Sequence, residues 1–68
     1  MYLFKTELKD EVLAKYKIKY LASRIGITAT QLSRIINCKS KTTKPVAYIF
    51  VKLLDSEKEI EDYFVRIK

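Results

Sequence analysis

Apolar residues recur at helical spacing along most of the chain. From about Lys5 to Tyr16, Leu8, Val12 or Leu13, and Tyr16 fall on one face. Glu7, Asp10 and Glu11 lie early in this segment and Lys15 and Lys17 at its end, an order that complements a helix dipole. A second, short helix is predicted from about Ile18 to Ile25, with Leu21, Ala22 and Ile25 inward. The third opens on "TATQ": Thr28 can cap it and Gln31 can reach back, forming a capping box. Leu32, Ile35 and Ile36 supply its stripe. The fourth follows "KTTK", with Pro45 suited to a first turn and Val46, Ile49, Phe50, Leu53 and Leu54 at i, i+3, i+4, i+7 and i+8. It is the most apolar segment and is expected to cross the centre of the core. The fifth opens on "SEKE", a second capping box from Ser56 to Glu59, with Ile60, Tyr63, Phe64 and Ile67 inward. Strict alternation never persists. The pattern therefore predicts an all-α, compact five-helix domain spanning residues 1–68, with "NCKSKTT" (37–43) as its only loop-like stretch.

The single glycine, Gly26, gives this outline a definite geometry. Only Gly26 and Ile27 separate the end of the second helix from the cap of the third. So tight a junction requires a sharp turn, and one residue with positive φ, which glycine adopts without steric cost. Ile27 can then point inward, and the small Ala22 lets the two helices approach. Leu21, Ala22, Ile25, Gly26, Ile27, Leu32 and Ile35 occupy the apolar and turn positions of a helix-turn-helix at about 18–37.

Charge changes the picture more than composition does. The net charge is +6, but its layout is uneven. Eight basic and no acidic residues lie from Lys15 to Lys44, whereas five acids and one lysine lie from Asp55 to Asp62. A basic middle suits a polyanionic partner, nucleic acid or an anionic membrane surface. No helix sets lysines opposite large aromatics, which disfavours the membrane surface. The longest apolar run, "PVAYIFV", ends at Lys52, far short of the roughly 20 residues a bilayer span needs. "MYLFK" is too short for a signal peptide, so a cytoplasmic protein with no membrane insertion is expected. One cysteine, Cys38, and no histidine leave no internal disulfide and no metal cluster. With no phosphate-cradling Gly-rich loop either, neither an enzyme nor a cofactor is expected.

"LASRIGITATQLSRI", then "NCKSKTTKP" and a further helix, resembles the Cro and phage-repressor family, also called XRE-type or lambda-repressor-like domains. The resemblance covers about Lys5 to Leu54, and the acidic "SEKEIEDYF", on a final helix at about 56–67, looks like small Cro-like proteins of prophages. Two positions depart from the family. Cys38 stands where a glycine usually follows Asn37, so either Asn37 takes the left-handed conformation or the third helix runs on. Ile18 stands where relatives often carry a polar backbone contact, a role that would pass to Lys17 or Lys19.

The resemblance implies a sequence-specific, DNA-binding transcriptional regulator whose third helix, 29–37, reads the major groove. With Leu32, Ile35 and Ile36 inward, Thr30, Ser33, Arg34 and Asn37 face out, flanked by Ala29 and Gln31. Arg34 can grip guanine through two hydrogen bonds, and Gln31 either grips adenine or stays in its cap. Thr30 and Ser33 can reach bases or phosphate, and Ala29 a thymine methyl. Lys17, Lys19, Asn37, Lys39, Ser40, Lys41, Thr43 and Lys44 are the candidate phosphate ligands. Tyr63, Phe64 and Ile67 either finish the core or form the seam of a homodimer. The competing function is an antirepressor or co-repressor that binds another phage repressor, with little or no DNA binding of its own.

Overall fold

The chain begins in a strand. β1 (Tyr2–Phe4) pairs antiparallel with β2 (Phe64–Arg66), setting Tyr2 opposite Arg66, Leu3 opposite Val65 and Phe4 opposite Phe64. A computed structural model gives this architecture and describes residues 1–67. Between the strands come one 3-10 turn (Thr6–Leu8) and five helices: α1 (Lys9–Lys15), α2 (Ile18–Ile25), α3 (Ala29–Ile36), α4 (Lys44–Leu54) and α5 (Ile60–Tyr63). The fold is mostly helical, but the two-stranded sheet corrects the all-α expectation.

Both ends of the chain differ from what periodicity predicts, for one reason. Phe4, Phe50 and Phe64 meet edge to face, with each pair of ring centroids 5.5 or 5.6 Å apart. Aromatic pairs in this geometry contribute about 0.5–1.5 kcal/mol beyond the area they bury. The triad joins β1, α4 and β2, so an extended backbone at both termini delivers two of its three rings. The expected C-terminal helix at 56–67 is accordingly cut to the four residues of α5. Its capping box sits three residues later than predicted: Glu59 and Asp62 close it, while Ser56 lies in the preceding turn. "YFV" is rich in strand-forming residues, and a short apolar run cannot be assigned to helix or strand by period alone.

The helices pack around one continuous core. Val12 of α1, Leu21 and Ala22 of α2, and Leu32, Ile35 and Ile36 of α3 are buried in it. In α4 the buried stripe is Ala47, Phe50, Val51 and Leu54. This is a rotation from the predicted stripe, for Ile49 is 40% exposed and Val46 and Leu53 are half-buried. Almost every position of "PVAYIFVKLL" is apolar, so several stripes satisfy the period and packing against the Phe triad selects among them. No helix is long and apolar enough to cross a membrane among the described residues.

α2 and α3 meet as expected. Gly26 has φ +95°, and the N–H groups of Gly26 and Ile27 both donate to the Ala22 carbonyl, at 2.9 and 3.0 Å. Ile27 packs half-buried against the core. A Cβ built at Gly26 meets nothing within 4 Å, so the position demands a backbone conformation and not space. Gly26→Val should therefore lower stability by about 1–2 kcal/mol, the cost of the left-handed region for a side chain, and Gly26→Asn by less. Urea unfolding measures this directly. An unchanged midpoint for Gly26→Val would contradict the left-handed turn.

Candidate nucleic-acid interface

α3 starts in a complete capping box. The Gln31 N–H donates to Thr28 Oγ1 at 3.0 Å and the Thr28 N–H to Gln31 Oε1 at 2.9 Å. This engages the oxygen that a two-bond grip on adenine would need. Of the two roles open to Gln31 from the sequence, the cap is the one the geometry shows. Thr30, Arg34 and Asn37 are exposed along the outer face, with Ala29 and Ser33 half-buried beside them. Arg34 is turned toward the loop beyond the helix, its Nε donating to Ser40 Oγ at 3.1 Å. A guanidinium has five N–H donors, and among the described residues only Nε is engaged, which leaves the far edge for a planar acceptor.

The end of α3 corrects the expectation at Asn37. Asn37 has φ −90° and ψ 9°, α3 stops at Ile36, and the left-handed residue is Cys38, with φ 57°. The Cys38 N–H donates to the Ile35 carbonyl at 3.1 Å and the Lys39 N–H to the Arg34 carbonyl at 2.8 Å. This is the paired bonding of a Schellman motif, which puts positive φ one residue past the cap whatever side chain stands there. The Cys38 thiol donates to the Phe4 carbonyl at 2.8 Å, tying the turn to β1.

β1 also holds the other end of the basic loop. Tyr2 and Thr42 exchange both backbone hydrogen bonds, at 2.8 and 2.9 Å, and Thr42 is buried. The loop between Cys38 and Thr42 is thus fixed at both ends to one strand. Lys39 and Lys41 are exposed along it and Ser40 is half-buried, and just beyond it Thr43 and Lys44 are exposed at the start of α4. Gln31, Arg34, Ile35, Ser40 and Lys41 line an open hollow of about 340 Å³ between α3 and the loop. Lys17 and Lys19 are exposed at the start of α2, outside this hollow.

One residue absent from the sequence reading joins the surface. Lys9, at the start of α1, donates through Nζ to Asn37 Oδ1 at 2.6 Å. Asn37 in turn donates from Nδ2 to the Ser33 carbonyl at 2.9 Å. No local pattern announces a pair 28 residues apart. Of the two roles open to Tyr63, Phe64 and Ile67, finishing the core is the one the structure shows: Tyr63 and Phe64 are buried within the monomer, at 6% and 1% exposure, and Ile67 is half-buried. These aromatics complete the core.

The exposed acids Glu57, Glu59, Glu61 and Asp62 lie in and before α5, away in sequence from the hollow. Among the described residues no group of three or more His, Cys, Asp or Glu is placed to hold a metal ion. Comparison with family models, curated proteins and solved structures finds no match. The candidate interface therefore rests on its own geometry. The cap gives it a first test: Thr28→Ala should cost about 1 kcal/mol. Thermal unfolding checks this, and an unaltered transition would mean that the box does not hold the start of α3.

Proposed function

We propose that the chain is a sequence-specific regulator of transcription that binds double-stranded DNA, in the manner of the Cro and phage-repressor proteins it resembles. In this reading α2 and α3 are its helix-turn-helix and α3 enters the major groove. The observation that carries the reading is the joining of α3 to the basic loop: Arg34 bonds Ser40, and both loop ends are pinned to β1. A helix face able to read bases and a row of lysines able to grip phosphate are thereby held as one surface. Arg34 and Thr30 are the leading base readers, with Ser33 and Ala29 at the margin, and Gln31 supports the helix start. Lys39, Lys41 and Lys44 grip the backbone together with Lys17 and Lys19. The acid-free stretch around them admits a polyanion, and the acidic segment near α5 disfavours the reverse orientation.

The competing reading, capture of a repressor protein, draws on Tyr48 and Ile49, which remain exposed on α4. Two substitutions separate the readings. Arg34→Ala should cost about 1–3 kcal/mol on the preferred site and relax the preference at one base pair. Lys41→Ala should weaken preferred and scrambled duplexes alike and make the salt dependence shallower by about one unit. Neutralising four to six phosphates gives the unmodified protein a log–log salt slope of about −4 to −5. Equilibrium binding to both duplexes over a salt series measures all three. If neither substitution affects DNA binding while Tyr48→Ala abolishes capture of a partner protein, the DNA reading gives way to the antirepressor one.

A further inference from the structure

Asn37 is exposed at the end of α3, but its amide is engaged at both ends. Oδ1 accepts from Lys9 Nζ at 2.6 Å. Nδ2 donates to the Ser33 carbonyl at 2.9 Å and lies 3.4 Å from Ser33 Oγ. A phosphate oxygen only accepts, so Asn37 has little to offer it. Lys9 has more: an ammonium carries three donors, and Asn37 takes one of them. Among the described residues Lys9 bonds Asn37 and no carboxylate. Asp10 and Glu11 follow it directly on α1, spacings at which helical side chains do not face each other. Lys9 is itself half-buried, so its charge is held at the end of α3.

The side of α3 on which that charge sits matters. The hollow with Ser40 and Lys41 lies along the flank of Gln31, Arg34 and Ile35. Lys9 arrives through Asn37, whose amide leans on Ser33. Successive residues are turned by about 100° on a helix, which sets Ser33 and Arg34 on opposite sides of the outer face. Cations therefore border that face on both flanks: Lys41 beyond Arg34, and Lys9 beyond Ser33. The major groove is bordered likewise, by a row of phosphates on each side. We propose that Lys9 is a further phosphate-binding residue, gripping the DNA backbone across the groove from the row held by Lys41. This rests on the DNA-binding reading and adds to it a contact from outside the helix-turn-helix and its loop.

The test is duplex binding over a salt series by the unmodified protein, Lys9→Gln, Lys9→Arg and Asn37→Ala, each first shown to be folded by circular dichroism. Lys9→Gln should make the log–log salt slope shallower by about one unit and leave the base preference unchanged. Lys9→Arg and Asn37→Ala should keep the slope, since both retain the cation. Duplexes with one neutral methylphosphonate in place of a phosphate then locate the contact. The substitution that weakens the unmodified protein but not Lys9→Gln should lie across the groove from the one that behaves in this way with Lys41→Ala. A Lys9→Gln protein with an unchanged slope would overturn the inference, because Lys9 would then only tie α1 to α3. So would an Asn37→Ala protein whose slope falls, or a Lys9 phosphate on the same side as that of Lys41. If the unmodified protein binds no duplex, the DNA-binding reading falls and the inference with it. Failure of the inference alone is distinguishable, since the unmodified protein would still bind with a salt-dependent affinity.

Discussion

A strand of three residues must find partners along both edges, and much of the molecule is arranged to supply them. β1 gives one edge to β2. Its other edge takes Thr42 through Tyr2 and the Cys38 thiol through the Phe4 carbonyl. Burying backbone groups without partners would be costly, so these contacts are obligatory once Tyr2 and Phe4 enter the core. Phe4 is held there by Phe50 and Phe64. Truncating a buried phenylalanine costs about 3–5 kcal/mol. A domain of this size has only about 3–10 kcal/mol of stability in total. The ribbon of chain ends is therefore part of what keeps the helices folded and is no appendage to them.

The same strand ties stability to the candidate function. α3 is set by its own cap and by Leu32, Ile35 and Ile36, but the loop beyond it has little apolar anchorage of its own. Without the bonds to β1, the segment carrying Lys39 and Lys41 would be free to swing, and a mobile lysine loses more entropy on gripping phosphate. Arg34 gains likewise: its bond to Ser40 orients a long side chain before any ligand arrives. Lys9 adds a second tie, from α1 to the far end of α3.

What was legible in the sequence is what local chemistry decides. The limits of α2, the Thr28–Gln31 cap and the left-handed Gly26 depend on residues within a few positions of one another, and all appear as the spacing predicts. The phase of α4 was not legible, because its apolar residues are too many to define one stripe. Nor was β2, since "FVR" continues the helical period of α5 and becomes a strand only because β1 waits beside it. Among the site residues, the outer face of α3 follows from its stripe. The tie of the loop to β1 and the Lys9–Asn37 contact join residues far apart in the chain, and neither has a local signature. Neither a left-handed Asn37 nor a longer α3 is found: positive φ falls at Cys38, because the Schellman geometry outweighs the greater tolerance of asparagine for it.

In the proposed function, α3 and the strand-pinned loop form one surface that meets a polyanion. Amide chemical shifts followed while a duplex of mixed sequence is titrated in at low salt test this most directly. The expected result is that the shifts concentrate at Thr30, Ser33 and Arg34 together with Lys39 to Lys44, moving with one common affinity, while Ile60 to Asp62 stay still. Shifts confined to Tyr48 and Ile49 or to α5, or loop and helix residues titrating with different affinities, would contradict it.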